Sequence, residues 1–284
     1  MQTQRDIITY YQSSQWLYRL FCYDDQTLGM HYGFWEPGTT NRQQAIANQH
    51  QEVITRARVA AKDHVLDVGC GVGGGAIYIA KTTGARVSGI TLDSKQVRSA
   101  TRYAQSAGVA DLVDFQVMDF AKLGFADGNF DVVYGIESIC YAHPKQAFLK
   151  EAFRVLKPGG RLVIMDGYAA RPPNTPEEQT IRRGIEWGFV LSPIVTGKHM
   201  KDMMEVCGFR NVQQIDKTGE TWPSVRYFGR LATLVMPIAK ALILIPSTHL
   251  QAIYRNAVAL RGVMHSYEQG LGMYAVHIGR KSRR

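Results

Sequence analysis

The run His64-Val65-Leu66-Asp67-Val68-Gly69-Cys70-Gly71-Val72-Gly73-Gly74-Gly75 decides how this chain folds. Its apolar positions around Asp67 fit a buried strand of a parallel sheet, and Gly69, Gly71 and Gly73 let the backbone turn sharply and come within contact distance of a ligand. Ala76-Ile77-Tyr78-Ile79-Ala80 then opens a helix whose first amides point back at the bound molecule. Strand, glycine turn and helix make a nucleotide-site geometry. Any tight strand-to-helix turn also asks for glycine, so the motif alone does not identify the ligand.

The spacing downstream narrows the choice. After one helix, Arg86-Val87-Ser88-Gly89-Ile90-Thr91-Leu92 reads as the second strand of a doubly wound sheet. A dinucleotide site would place an acid at its tip, where this chain has Thr91. Either Thr91 and the Leu92 backbone hold a ribose with help from Gln96, or Asp93 reaches back. A third strand, Val113 to Val117, ends at Met118-Asp119-Phe120, where a carboxylate and an apolar side chain suit an adenine. A fourth, Phe130 to Tyr134, runs into Gly135-Ile136-Glu137-Ser138. A helix, Leu156-Lys157-Pro158-Gly159-Gly160 and a fifth strand from Arg161 to Asp166 follow.

Taken in order, Asp67-Val-Gly-Cys-Gly71, Gln116-Val-Met-Asp119, Phe130-Asp131 and Leu156-Lys-Pro-Gly-Gly160 resemble the class I S-adenosylmethionine-dependent methyltransferases over residues 60 to 170. The resemblance implies an α/β Rossmann-like fold: a seven-stranded, mostly parallel sheet with helices on both faces. Phe209 to Gln213 and Met273 to Ile278 are expected to supply the last strands. It also implies S-adenosylmethionine as cofactor, held by Asp67, Gly69, Gly71, Gly73, Thr91, Leu92, Gln96, Asp119 and Phe120. A nicotinamide-dependent oxidoreductase would share the glycine loop but would want an acid or arginine at Thr91, and has no use for the Asp119 and Leu156 to Gly160 motifs.

Composition agrees with this class. The chain has 284 residues and 45% hydrophobic content, which suit one α/β domain with embellishments. Cys22, Cys70, Cys140 and Cys207 lie far apart without metal-ligand spacing, so neither a disulfide framework nor a metal site is expected, and a reducing cytoplasm is the expected compartment. Arg5 and Asp6 precede an amphipathic segment where a secretory leader would be apolar. The net charge of +9 is scattered, with no basic stripe interleaved with stacking aromatics, so no nucleic-acid partner is expected. A membrane surface or an anionic small substrate accounts for the charge more economically.

Three regions outside the core point to a lidded enzyme. Residues 1–60 are read as an N-terminal helical lid, 61–167 as the cofactor-binding core, and 168–284 as substrate-binding insertions with the last strands. Ile7 to Tyr11 and Trp16 to Phe21 carry apolar residues at near-helical spacing, followed by an aromatic turn from Met30 to Gly38. Ala169 to Pro176 is a proline-rich loop before a helix start at Pro176-Glu177-Glu178. The apolar stretch Leu231 to Pro246, broken by Pro237 and Lys240, is too short to span a bilayer. It reads as a core helix, an apolar wall, or a peripheral membrane contact serving a lipophilic substrate. A homo-oligomer also stays open.

Tyr134-Gly-Ile-Glu137-Ser-Ile-Cys-Tyr141-Ala142, with His31-Tyr-Gly-Phe-Trp35 upstream and Tyr267 to Lys281 at the end, resembles the sterol, tocopherol and prenyl-diphosphate carbon methyltransferases. That resemblance implies an acid at Glu137 beside the reacting methyl. An alkene can attack an electrophilic methyl without prior deprotonation, and aromatic faces stabilise the resulting carbocation by about 0.5–2 kcal/mol each. Glu137 is accordingly the expected cation stabiliser or proton acceptor, with Tyr141 and Tyr32 beside the reacting carbon. Tyr32, Phe34, Trp35, Tyr141, Trp187, Phe189, Trp222, Tyr227 and Phe228 supply aromatics, most of them expected in the core. Arg182, Arg183, Arg226 and Arg230 fall where a diphosphate headgroup would need them. The alternative is oxygen or nitrogen methylation of a phenol, sugar or alkaloid. Oxygen methyltransferases usually carry a histidine at the place of Tyr141, and His143 is offset by two. A catalytically silent cofactor-binding module is a further alternative.

Overall fold

A computed structural model describes residues 3–21, 27–242, 245 and 247–283, with side chains throughout except at 18–21 and 242. Cys22, Ile243, Leu244, Pro246 and Arg284 lie outside the described residues. Two helices, α1 (Gln4–Phe21) and α2 (Arg42–Ala57), precede β1 (His64–Val68). The doubly wound half continues through α3 (Gly74–Thr83), β2 (Arg86–Thr91), α4 (Ser94–Ser106), β3 (Val113–Val117) and β4 (Phe130–Ile136). A short 3-10 turn (Ile139–Tyr141) and α5 (Lys145–Val155) lead to the long β5 (Leu156–Ala169). Then come α6 (Pro176–Phe189), α7 (Gly197–Val206), β6 (Arg210–Asp216), α8 (Thr218–Leu242), α9 (Thr248–Glu268) and β7 (Gly272–Arg280).

The sheet runs β3-β2-β1-β4-β5-β7-β6. Its first five strands are parallel, and β7 pairs antiparallel with both β5 and β6. Strand periodicity explains the two cores. Val65, Val132, Val163 and Tyr274 face one layer, packed by α2 and α3, while Leu66, Val133, Leu162 and Ala275 face the other, packed by α5 and α7. Helices α6, α8 and α9 form an additional layer held by close approaches at Gly188 to Ala259 and Gly229 to Met264.

Helix starts follow the sequence signals. Thr175 accepts from Glu178 N at 3.1 Å with Pro176 as the first helical residue, and Asp93 accepts from Lys95 N at 2.8 Å. Of the two helices within 1–60, α1 lies over the mouth of the sheet, beside the segment Leu28 to Tyr32. Helix α2 buries Ala45, Ile46, Gln49, His50 and Val53 and is a core helix. Tyr10 hydrogen-bonds Asn256 of α9 at 2.8 Å, and Gln4 reaches Asp119 at 2.6 Å, which fix α1 at both ends of its cavity-facing stretch.

Candidate active site

Strand order reverses between β1 and β4, and a cavity of about 290 Å³ opens beyond the C-terminal ends of those strands. Gly69, Gly71, Thr91, Leu92, Gln96 and Phe120 line it together with Asp67. Gly69, at φ +82°, brings the loop against Ser138, whose hydroxyl donates to Val68 O at 2.6 Å. Gly71, at φ +54°, faces open space: a methyl group there would have Met30 Cε as its nearest neighbour, at 3.9 Å. That gap is a cradle for a ligand, and the glycines provide it.

Asp67 is buried beneath the loop, and burial pushes its carboxyl up to about 7 although the Tyr134 hydroxyl and Ala76 amide pull it down. The Thr91 hydroxyl donates to Gln96 Oε1 at 2.6 Å. Asp93 also lines the cavity while capping α4.

Two residues expected at this end lie outside the cavity lining. Gly73 does not line the cavity; a methyl group there would meet Phe115 and Ala100, so its glycine serves helix-on-strand packing. The Asp119 carboxylate accepts from Gln4 Nε2 and, at 2.8 Å, from Ala121 N, and lies outside the cavity lining. The lining beside it comes from Met118 and Phe120.

Glu137 follows β4 with φ +49°, a left-handed conformation that costs a non-glycine residue about 1–3 kcal/mol. Several contacts hold it. Its amide donates to Met165 O at 2.8 Å, and its Oε1 accepts from Tyr32 N and the Tyr274 hydroxyl at 3.1 Å each and from Gln49 Nε2 at 3.5 Å. The strained turn aims a carboxylate into the cavity. Burial first, and then the charge of Asp166, raise Glu137 to about 7 against these donors. His31 Nδ1 stands 4.0 Å from Oε2, but burial, His50 and Arg42 drive His31 down to about 3. The imidazole is therefore neutral, and the pair is a polar contact, not an ion pair.

Tyr141 lines the cavity with its ring 5.6 Å from that of Tyr11. Tyr32 reaches Glu137 through its backbone amide, while its ring packs on the core and its carbonyl accepts from Ser224. Of the other predicted aromatics, Phe189 and Phe228 line the cavity. Phe34 is fully buried, Trp35 bonds Ser224, Trp222 stacks on Tyr267, and Trp187 and Tyr227 are exposed. Tyr11, Tyr168, Tyr267 and Tyr274 complete the wall.

A second carboxylate went unread in the sequence. Asp166, at the tip of β5, accepts from Cys140 N at 2.7 Å and Gly167 N at 2.9 Å, and burial raises it to about 6 against the pull of Lys145. Lys145 is buried and donates to Ile139 O, Cys140 O, Ala142 O and Ser192 Oγ, bracing the turn that carries Tyr141. Asp166 had a sequence signal, since it ends an apolar strand as Asp67 does. Gln49 and Tyr274 had none. Among the described residues, no group of three or more His, Cys, Asp or Glu stands where it would hold a metal ion.

Comparison with known proteins matches residues 66–164 to a methyltransferase domain. The chain is 31% identical to the O-methyltransferase resE of Aspergillus sclerotiorum over 205 residues, covering 72% of this chain and 76% of that one. It is 40% identical to a sterol 24-C-methyltransferase of Aspergillus fumigatus over 154 residues, covering 54% of this chain and 41% of the relative. Among solved structures, the [4+2]-cyclase SpnF superposes with a TM-score of 0.81 at 24% identity, covering 99% and 97% of the two chains. The geranyl diphosphate C-methyltransferase of Streptomyces coelicolor superposes with 0.73 at 20% identity, covering 98% and 97%. The glycine cradle, the strand-tip carboxylates and these likenesses agree: the chain is an enzyme of the class I S-adenosylmethionine-dependent methyltransferase family.

Proposed function

We propose that this enzyme methylates an alkene carbon of a neutral, lipophilic isoprenoid. Bound S-adenosylmethionine supplies the electrophilic methyl on its sulfonium. Gly69, Gly71, Thr91, Leu92, Gln96 and Asp67 hold that cofactor, with Met118 and Phe120 beside the base. The alkene's π electrons would form the new carbon–carbon bond as the methyl–sulfur bond breaks, its electron pair staying on sulfur in the departing neutral thioether, leaving a carbocation in the acceptor. Tyr141, Tyr11 and Tyr267 turn ring faces and hydroxyl dipoles toward that charge, and Glu137 adds its own. A proton on the neighbouring carbon then passes to Glu137, restoring an alkene.

The observation that carries this reading is Glu137 itself: a partly buried carboxyl raised to about 7, in a wall of tyrosines, held by three donors. Poised near neutrality, it can both take and release a proton close to neutral pH. The same wall disfavours a diphosphate. Among the described residues Arg182 is the one Lys or Arg lining the cavity, and it is already bonded to Glu186 and Ile194 O. Arg183, Arg226 and Arg230 are exposed outside it. A polyanion would meet Glu137 and Asp166 instead.

The likeness to resE supports a second reading, in which Glu137 takes a proton from a hydroxyl. Incubation with labelled S-adenosylmethionine and a panel of neutral isoprenoids, prenyl diphosphates, phenols and amines, read by product mass, tests the choice. Methylation of an alkene with loss of a deuterium placed beside the attacked carbon supports carbon transfer. Methylation of phenols or amines alone overturns it.

A further inference from the structure

Helix α8 has three faces. Phe228, Ala232, Met236 and Ala239 are buried, with Phe228 on the cavity wall. At 3.6 residues per turn, Tyr227, Leu231, Leu234 and Ile238 fall on one stripe about 60° wide on the opposite side. Tyr227 is 61% exposed, Leu234 76% and Ile238 64%, and nothing in the described chain covers them. Arg230 and Arg226 lie beside this stripe on one side, while Lys240, two residues after Ile238, projects from the far side of the helix; all three are exposed and without an ion pair among the described residues.

The charge pattern extends beyond the helix. From Thr221 to Tyr267 the chain contains no Asp or Glu, yet holds Arg226, Arg230, Lys240, Arg255 and Arg261. Among described residues, no helix is long and apolar enough to cross a membrane, so this is a surface feature.

We propose that the outer face of α8 docks on an anionic lipid bilayer. Leu234 and Ile238 enter the acyl boundary, Tyr227 sits at headgroup level, and Arg226 and Arg230 meet lipid phosphates. An acidic protein or a nucleic acid would satisfy the basic flank but leave the apolar stripe in water; a bilayer interface satisfies both. Docking also sets the lipid surface beside the cavity, because Phe228, about 100° round the helix from Tyr227, lies on the cavity wall. A lipid-borne acceptor would enter from that side.

The test is co-sedimentation of the full chain with phosphatidylcholine vesicles, with and without phosphatidylserine, at low and high salt. Binding is read without turnover, so its result is independent of which atom the enzyme methylates. The expected result is binding to the serine-containing vesicles that weakens with salt and falls about tenfold or more in Leu234→Ser/Ile238→Ser. The double variant Arg226→Gln/Arg230→Gln should lose about 30-fold. Both variants should keep the parent melting temperature and their turnover on a detergent-solubilised acceptor. Failure of the parent protein to bind either vesicle overturns the proposal. So does a dimer in solution, measured by light scattering, that Leu234→Ser/Ile238→Ser converts to a monomer, since the stripe would then belong to a second copy.

Discussion

The Tyr274 hydroxyl donates to Glu137 Oε1 at 3.1 Å while accepting from Gln49 Nε2 at 2.6 Å, so β7 and α2 jointly set the state of the carboxyl at the end of β4. Removing that donor should leave Glu137 harder to ionise. Tyr274→Phe is expected to move the acidic limb of the kcat/KM profile to higher pH and to lower kcat by about tenfold. An unmoved limb would make Tyr274 a packing residue only.

Glu137→Gln keeps the shape and removes the base. Calorimetric affinity for S-adenosylmethionine should hold, while turnover falls about 10²-fold or more. Normal turnover in this variant, with loss in His31→Ala, would transfer the role to the histidine.

The parent enzyme's kcat/KM should rise with pH and level off above about pH 7, because the proposed base, Glu137, would act in its ionised form. Stability should move the other way. Asp67 and Glu137 at about 7 and Asp166 at about 6 all lie above their unfolded values, so between about pH 4 and 7 the folded state holds more protons and loses stability as pH rises. Ligand-free Glu137→Gln should therefore gain melting temperature over the parent as pH climbs from about 5 to about 8. A constant difference across that window would contradict the burial argument.

Gly71→Ala and Gly69→Ala should fail differently. Both residues are left-handed, a cost of about 1–2 kcal/mol for alanine. At Gly71 the methyl enters the open cradle, so cofactor affinity should fall about tenfold with a modest loss of stability. At Gly69 it collides with Ser138, and melting temperature should drop further.

Removing residues 1–21 should cripple turnover more than folding, since α1 supplies Ile7, Ile8 and Tyr11 to the cavity but little to the sheet core. Unchanged turnover on the truncated enzyme would show that α1 neither excludes water nor positions Tyr141.

The cofactor half was readable because glycine spacing and apolar runs are local: each strand tip announces itself within a few residues. Asp119 shows the limit, since only the fold reveals that α1 reaches across to claim its carboxylate. The acceptor half was less legible. Tyr274 is 137 residues from Glu137 and 225 from Gln49, and they meet because β7 pairs antiparallel with β5 in a register that no local pattern encodes. Tyr32, expected at the site for its ring, lines the cavity and also reaches Glu137 through its amide, a contact blind to side-chain identity.

Strand β7 follows every other strand in sequence yet lies inside the sheet, between β5 and β6. During synthesis at about 5–20 residues per second, the interval between Glu137 and Tyr274 lasts roughly 7–27 s. Throughout it, the growing chain displays β5 as an unpaired apolar edge beside a half-built pocket, the kind of surface that chaperones clasp. Without β7, Glu137 lacks the Tyr274 donor and one edge of β5 has no partner, so the pocket is incomplete until the last strand is made.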